Sequence, residues 1–134
     1  GHLQDRIGSK WSIAITLLIW SLAIICAYLA VSEMLFWIAA NLIGIALGGA
    51  QSAGRALVGQ FTPSGRQGEF FGLWGLATKL SAIIGPLTYG GMIYAFAGDH
   101  RIALLSTLVF FILGLVFLAT VDEKRGRETA RISY

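Results

Sequence analysis

The residue most in need of a chemical partner is a lysine inside a long apolar stretch. Residues 70–91 read FFGLWGLATKLSAIIGPLTYGG, and Lys79 is the single charged residue among them. If this stretch enters the hydrocarbon of a bilayer at Phe70, Lys79 lies roughly 14 Å deep, where a lysine costs on the order of 2.5 to 3.5 kcal/mol. We therefore expect Lys79 to face an anion, on another helix or on a solute, or a water-filled path. Snorkelling of its ammonium to the nearer interface is the structural alternative.

The preceding apolar stretch carries a stripe of small and polar residues. At 100° per residue its members fall within an arc of about 100°; they are Asn41, Gly44, Gly48, Gln51, Ser52, Arg55 and Gly59. Because lipid is apolar, such a face turns to protein or to a water-filled cavity. Gln51, Ser52 and Asn41 are candidates for hydrogen bonds to a solute or, more plainly, to neighbouring helices. For Arg55 the plainer interpretation is pairing with Glu69 or with lipid headgroups.

Glycine and proline positions predict helix packing and bending. Gly44 and Gly48 have the small-xxx-small spacing of closely packed membrane helices. Gly85 and Pro86 predict a bend in the third apolar stretch, because proline removes a backbone donor and clashes with the turn before it. A packing kink and a gating hinge are both open interpretations. Lys79 lies towards the edge of the small-residue face of the same helix, away from its leucine-rich stripe.

Four apolar segments must position these residues. The chain of 134 residues is 56% hydrophobic and only 13% charged, with a mean hydropathy of +0.73, whereas soluble domains carry about 25% charged residues. The segments are residues 11–31, 35–57, 70–96 and 102–121. Each is long enough to cross a hydrocarbon core of roughly 30 Å as a helix. The sequence predicts an all-α, multi-pass integral membrane protein with four transmembrane helices, the first and last being peripheral supports without a polar stripe.

The basic residues predict the orientation of these helices. Seven of the ten fall on one side of the membrane, in residues 1–10, 58–69 and 122–134; they are Arg6, Lys10, Arg66, Lys124, Arg125, Arg127 and Arg131. By the positive-inside rule this side is cytoplasmic and holds both ends of the chain. The net charge of +3 therefore reflects topology, and no nucleic-acid partner is expected. Glu69 opens the third helix, where its charge suits the helix dipole.

The sequence lacks the residue sets of catalysis and cofactor binding. Its one cysteine, Cys26, lies within the first span, and its two histidines, His2 and His100, lie outside the spans. Neither a Ser/His/Asp set nor metal-ligand spacing nor a phosphate loop is present. We expect no enzymatic activity, no cofactor and no metal.

Two motifs carry a resemblance to a known family. GHLQDRIGSK resembles the loop signature G-x-L-x-D-R-x-G-x-K/R of the major facilitator superfamily, with matches at Gly1, Leu3, Asp5, Arg6, Gly8 and Lys10. QSAGRALVGQFTPSGRQGEFFGLWGLATK resembles the branch of vacuolar amino-acid effluxers and their bacterial relatives, and so does the closing VDEKRG. The matches in the longer motif are Gln51, Ser52, Arg55, Pro63, Arg66, Glu69, Phe70, Phe71, Gly72 and Lys79. Ser9, Gly54 and Gly68 depart from the usual pattern.

The resemblance implies a fold and a function. The chain would hold helices nine to twelve of a twelve-helix, secondary active transporter, in a bacterial inner membrane. It would work by alternating access on small solutes of the amino-acid type, together with the N-terminal helices of the same protein. The acid of the loop motif, Asp5, would cap a helix of the opposite half and latch one conformation.

Two other functions remain open from the residues alone. A four-helix exporter that dimerises would rely on an acid within its first span, and none is present there. A non-transporting anchor subunit would need neither a polar stripe aimed at a cavity nor a loop latch. The two alternatives therefore account for fewer of the observed residues.

Overall fold

The computed structural model describes residues 7–132 and is helical almost throughout. The helices are α1 (Ser9–Tyr28), α2 (Glu33–Phe61), α3 (Gln67–Ala95), α4 (His100–Thr120) and α5 (Glu123–Ile132). The first four are long and apolar enough to cross a membrane. This confirms an all-helical protein with four candidate spans.

The helices do not end where the apolar segments end. α2 continues to Phe61, into the segment 58–69 that we predicted to be a loop. The first proline after its start is Pro63, and the helix ends just before it. The polar tail also forms a helix, α5, whose start is stabilised by the Asp122 carboxylate accepting from the Arg125 N–H at 3.1 Å. The connection between α2 and α3 is consequently only residues 62–66.

Small residues at a spacing of seven form the seam between α1 and α2. In α1, Ser9, Thr16 and Ala23 are buried, and the buried residues of α2 are Ala39, Ala46 and Ala53. A Cβ added to Gly49 would lie 3.1 Å from the Thr16 hydroxyl, so the two backbones approach closely at this level. Small residues permit such an approach and increase dispersion contacts between membrane helices. The predicted pair Gly44 and Gly48 instead faces open space in the part of the chain described here.

α4 packs along the other side of α1. The rings of Trp20 and Phe111 stack with centroids 5.1 Å apart, and Gly114 leaves room for Leu17. At the α1 C-terminus, the guanidinium of Arg101 lies 5.8 Å from the Tyr28 ring centroid. Within residues 7–132, α1 is therefore held between α2 and α4, while Trp11, Leu18 and Leu22 remain exposed on its other face. That α1 is a peripheral support of the whole protein stays a prediction. A row of Ser, Thr and Ala provides a packing face that a search for polar stripes does not detect.

α3 is the least covered helix of the described chain, since none of its residues is buried. It contacts α2 near the short connection, where Trp74 approaches Gly54 and Phe71 approaches Gly59. Its leucine-rich stripe is exposed as predicted, but so is the opposite face with Gly85 and Pro86. The helix runs without interruption through Pro86 to Ala95.

Candidate functional site

Lys79 is exposed near the middle of α3. Within residues 7–132 its ammonium takes part in no hydrogen bond and no ion pair. Apolar residues lie on both sides of it along the helix, and the whole of α3 qualifies as a candidate span. A charge in such a setting requires an oppositely charged partner or water, because hydrocarbon does not solvate an ammonium group.

Arg55 is held by an aromatic ring, not by a carboxylate. Its guanidinium carbon lies 5.4 Å from the ring centroid of Trp74 on α3, within the range of a cation–π interaction. Glu69 instead accepts from Nε and Nη2 of Arg66 at 2.8 and 2.9 Å. The suggested pairing of Arg55 with Glu69 is thus wrong, because Arg66 lies one helical turn before Glu69 and occupies both carboxylate oxygens.

The remaining polar residues of the α2 stripe are exposed. The amide nitrogen of Asn41 donates to the Trp37 carbonyl one turn earlier at 2.8 Å, which is a local bond within α2. Gln51 and Ser52 precede Gly54 by less than one helical turn, and Gly54 is the residue that Trp74 approaches. Because α2 and α3 run antiparallel away from their connection, Gln51 and Lys79 lie at about the same height in the two helices. We call the set of Arg55, Trp74, Gln51, Ser52 and Lys79, which lie at similar heights in two adjacent helices, the α2–α3 wall.

The described part of the loop motif holds the start of α1. Gly1, Asp5 and Arg6 lie outside the described residues. Gly8 has a φ of 85°, a left-handed conformation that favours glycine. The ammonium of Lys10 donates to the backbone carbonyls of Ala119, at 3.1 Å, and Val121. The lysine of the motif therefore satisfies the C-terminal carbonyls of α4, where a cation also suits the helix dipole.

A carboxylate from the tail helix satisfies the amides at the start of α1. Glu123 accepts from the backbone N–H groups of Ser9 at 3.2 Å and Lys10 at 3.1 Å, and it pairs with the Arg127 guanidinium. Burial by itself raises the pKa of the Glu123 carboxyl. The bonds from the Lys10 amide, the Arg127 guanidinium and the Ser9 amide outweigh this effect, so the pKa is below its ordinary value of 4.5. The carboxylate therefore carries its charge at neutral pH.

These contacts tie three helix ends together, and we call the set of Gly8, Ser9, Lys10, Glu123 and Arg127 the end junction. α1 receives a carboxylate from α5 at its N-terminus and gives an ammonium to the end of α4. Sequence reasoning assigned the acids and bases of the tail to topology and missed Glu123. The available signal was an acid in the first turn of a helix that begins immediately after the fourth span. Trp74 was missed as well, since only the packing of α2 on α3 brings it to Arg55.

The arrangement suits binding and positioning of charges. Within residues 7–132, no group of three or more His, Cys, Asp and Glu side chains is placed to hold a metal ion. Helices α2 and α3 each carry one exposed cation, Arg55 and Lys79, and α2 also carries exposed amide and hydroxyl groups. Together with the family features reported next, the four candidate spans define an integral membrane protein.

Comparison with known proteins gives the family. A family model described as "Vacuole effluxer Atg22 like" matches residues 5–131. The chain belongs to this family, which confirms the resemblance drawn from the two motifs.

Named relatives agree with this assignment. The chain is 28% identical over 131 residues to a Bacillus subtilis protein named as an uncharacterized MFS-type transporter, YxiO, covering 98% of this chain and 30% of the relative. It is 32% identical over 88 residues to autophagy-related protein 22 of Kluyveromyces lactis, covering 66% of this chain and 18% of that protein. Autophagy-related protein 22-1 of Phaeosphaeria nodorum is 33% identical over 92 residues, covering 69% and 16%. The chain thus spans less than a third of these relatives, and no solved structure matches it.

Proposed function

We propose that this chain is the C-terminal part of a secondary active transporter that moves small solutes, amino acids among them, by alternating access. Its four spans would be helices nine to twelve of a twelve-helix major-facilitator fold. Support comes from the family and from the relative named as an MFS-type transporter, of which the chain matches 30%. Both ends of the segment would face the cytoplasm, in a bacterial inner membrane, because basic residues concentrate on that side.

The observation that carries the proposal is the exposed ammonium of Lys79 on an apolar helix without buried residues. No acid of the described chain pairs with it, and the interface, roughly 14 Å away, is a long reach for a snorkelling lysine. The partner would then be a solute carboxylate or an acid on one of the remaining N-terminal helices. A solute carboxylate as the partner would put Lys79 on the surface that alternating access exposes in turn to the two sides of the membrane, whereas an acid of an N-terminal helix would make it a contact between the two parts of the protein.

The neighbouring groups support the same role. The Trp74 ring restricts Arg55, so that a second cation lies on the α2–α3 wall. Gln51 and Ser52 add donors and acceptors at the height of Lys79, and Asn41 lies further along the same stripe. These residue types recognise the carboxylate and ammonium groups of an amino acid.

Two further elements would take part in the conformational change. The loop-motif residues Gly1, Asp5, Arg6, Gly8 and Lys10 would form the cytoplasmic latch, with Arg66 and Glu69 in the facing loop. In the described part, Lys10 already fixes the end of α4, which leaves the latching role to the acid. Gly85 and Pro86 would provide a bend in α3.

The test is solute uptake by the complete protein in liposomes, with substitutions at Lys79. Lys79→Ala is expected to lower the rate of uptake at least about tenfold, since one lost charge-assisted contact is worth about 1.5 kcal/mol or more. Lys79→Arg keeps the charge and is expected to retain part of the activity. Lys124→Ala, which removes a lysine from the exposed side of α5, is the matched control. Uptake by Lys79→Ala equal to that of the Lys124→Ala control would remove Lys79 from the mechanism.

A further inference from the structure

A polar groove lies between the tail helix and the connection of α2 to α3. It has a volume of about 340 Å³, and the residues with hydrogen-bonding side chains that line it are Gln60, Thr62, Ser64, Gln67, Arg127 and Arg131. Among residues 7–132, neither Asp nor Glu lines it. The groove thus combines two guanidinium groups with hydroxyls and amides, and its lining is cationic.

Two buried polar atoms of this lining have no hydrogen-bond partner. They are Nε of Arg127 and Oε1 of Gln60. The other end of the Arg127 guanidinium is used by Glu123 at the end junction, so the unpartnered donor is on the inner part of the side chain. An unmet buried donor or acceptor costs about 1 to 3 kcal/mol. Both atoms are almost fully covered, so a ligand in the groove reaches them only after a small rotation of the two side chains. A ligand that then accepts from Arg127 and donates to Gln60 would remove both costs.

The position of the groove within the fold limits the kinds of ligand that it can meet. It lies where α2 ends and α3 begins, beside the helix that follows the fourth span. If these helices span a bilayer, this is the level of the lipid headgroups. Basic residues at that level attract anionic lipids.

We propose that this groove binds a phosphate ester that carries a hydroxyl group, and that its source is the headgroup of an anionic phospholipid of the adjoining leaflet. The phosphate oxygens accept from Arg131, Arg127 and the Ser64 hydroxyl, in the fork geometry that guanidinium groups favour. The Thr62 hydroxyl already donates to the Val58 carbonyl at 2.6 Å and therefore offers the ligand only an acceptor. The headgroup hydroxyl donates to Oε1 of Gln60. The site is separate from the α2–α3 wall, and its occupation ties the tail helix to the membrane surface.

The test measures ligand affinity of the complete detergent-purified protein and of two variants. The probes are short-chain phosphatidylglycerol, glycerol phosphate as the soluble source of the same chemistry, and short-chain phosphatidylcholine as the zwitterionic comparison. Arg131→Gln removes a groove cation that forms no part of the end junction. Arg125→Gln removes an equal charge from an exposed position of the same helix that does not line the groove.

Phosphatidylglycerol is expected to bind more tightly than phosphatidylcholine. Arg131→Gln should weaken that binding about tenfold and Arg125→Gln less than about twofold. If glycerol phosphate binds with the same dependence on Arg131, the groove is a phosphate-ester site whose ligand is soluble, and the proposed lipid source is wrong. If Arg131→Gln and Arg125→Gln weaken phosphatidylglycerol binding equally, the effect is one of diffuse charge. If neither anionic probe binds, the groove is not a binding site. Each of these two results overturns the proposal.

Discussion

Replacement of Glu123 should release the start of α1 from the tail helix. The carboxylate accepts two backbone N–H bonds and pairs with Arg127, and its side chain is only 15% exposed. A hydrogen bond to a charged group contributes about 1.5 to 3 kcal/mol, and loss of a helix N-cap about 0.5 to 2 kcal/mol. Because the bonds share one acceptor they do not add fully, so Glu123→Ala is expected to cost about 2 kcal/mol of local stability.

Hydrogen exchange at the amides of Ser9 and Lys10 measures this cost directly. A loss of about 2 kcal/mol corresponds to roughly thirtyfold faster exchange where opening and closing are fast compared with chemical exchange. Glu123→Gln should give a smaller acceleration, since the amide keeps one oxygen acceptor. Glu128→Ala is the matched control, because Glu128 is an exposed acid of the same helix.

Equal exchange of these two amides in Glu123→Ala and Glu128→Ala would contradict this prediction. That result would mean that the N-terminal amides of α1 are satisfied by another group or by water. A change at amides in the middle of α1 alone would also contradict it, because the carboxylate contacts only the first turn.

Two further predictions concern the same end of the molecule. Gly126→Ala should destabilise the packing of the tail helix on α2 by about 1 to 3 kcal/mol, because a Cβ there would lie 2.6 Å from the Phe61 ring. Gly44→Ala is the control and should be nearly neutral, because a Cβ there meets open space within the described chain. Limited proteolysis of the tail in the two variants measures the difference. The junction should also weaken in acid: because the folded pKa of Glu123 is below its ordinary value of 4.5, its contribution is present above that pH and is lost as pH falls through the folded pKa. The protection factor of the Ser9 amide, which corrects the observed exchange for the intrinsic rate at each pH, should therefore fall only below pH 4.5, and a fall that begins between pH 6 and 7 would contradict this assignment.

The spans were predictable because hydropathy and length suffice to find them. The packing between them was not, since lipid is as apolar as the side chains that pack. Ala39, Ala46 and Ala53 look like any lipid-facing alanines, yet they are the buried residues of α2. Only their spacing of seven, matched by that of Ser9, Thr16 and Ala23, distinguishes them.

Among the charged residues, too, some roles could be predicted from the sequence and others could not. Lys79 could be singled out because its cost depends on depth alone, whereas the partners of Arg55 and Glu123 depend on which helices meet. Trp74 is nineteen positions from Arg55, and Glu123 is more than one hundred from Lys10. Sequence motifs located the family and the loop, but the carboxylate that holds the loop came from the tail helix.

Uptake by the complete protein, reconstituted in liposomes under an imposed ion gradient, tests the central claim most directly. Labelled amino acids serve as the first solutes. Secondary active transport predicts accumulation above equilibrium without ATP, which an ionophore that dissipates the gradient abolishes. Accumulation that depends on ATP and not on the gradient, or a failure of every tested amino acid and small solute to enter beyond the level of protein-free liposomes, would contradict the account.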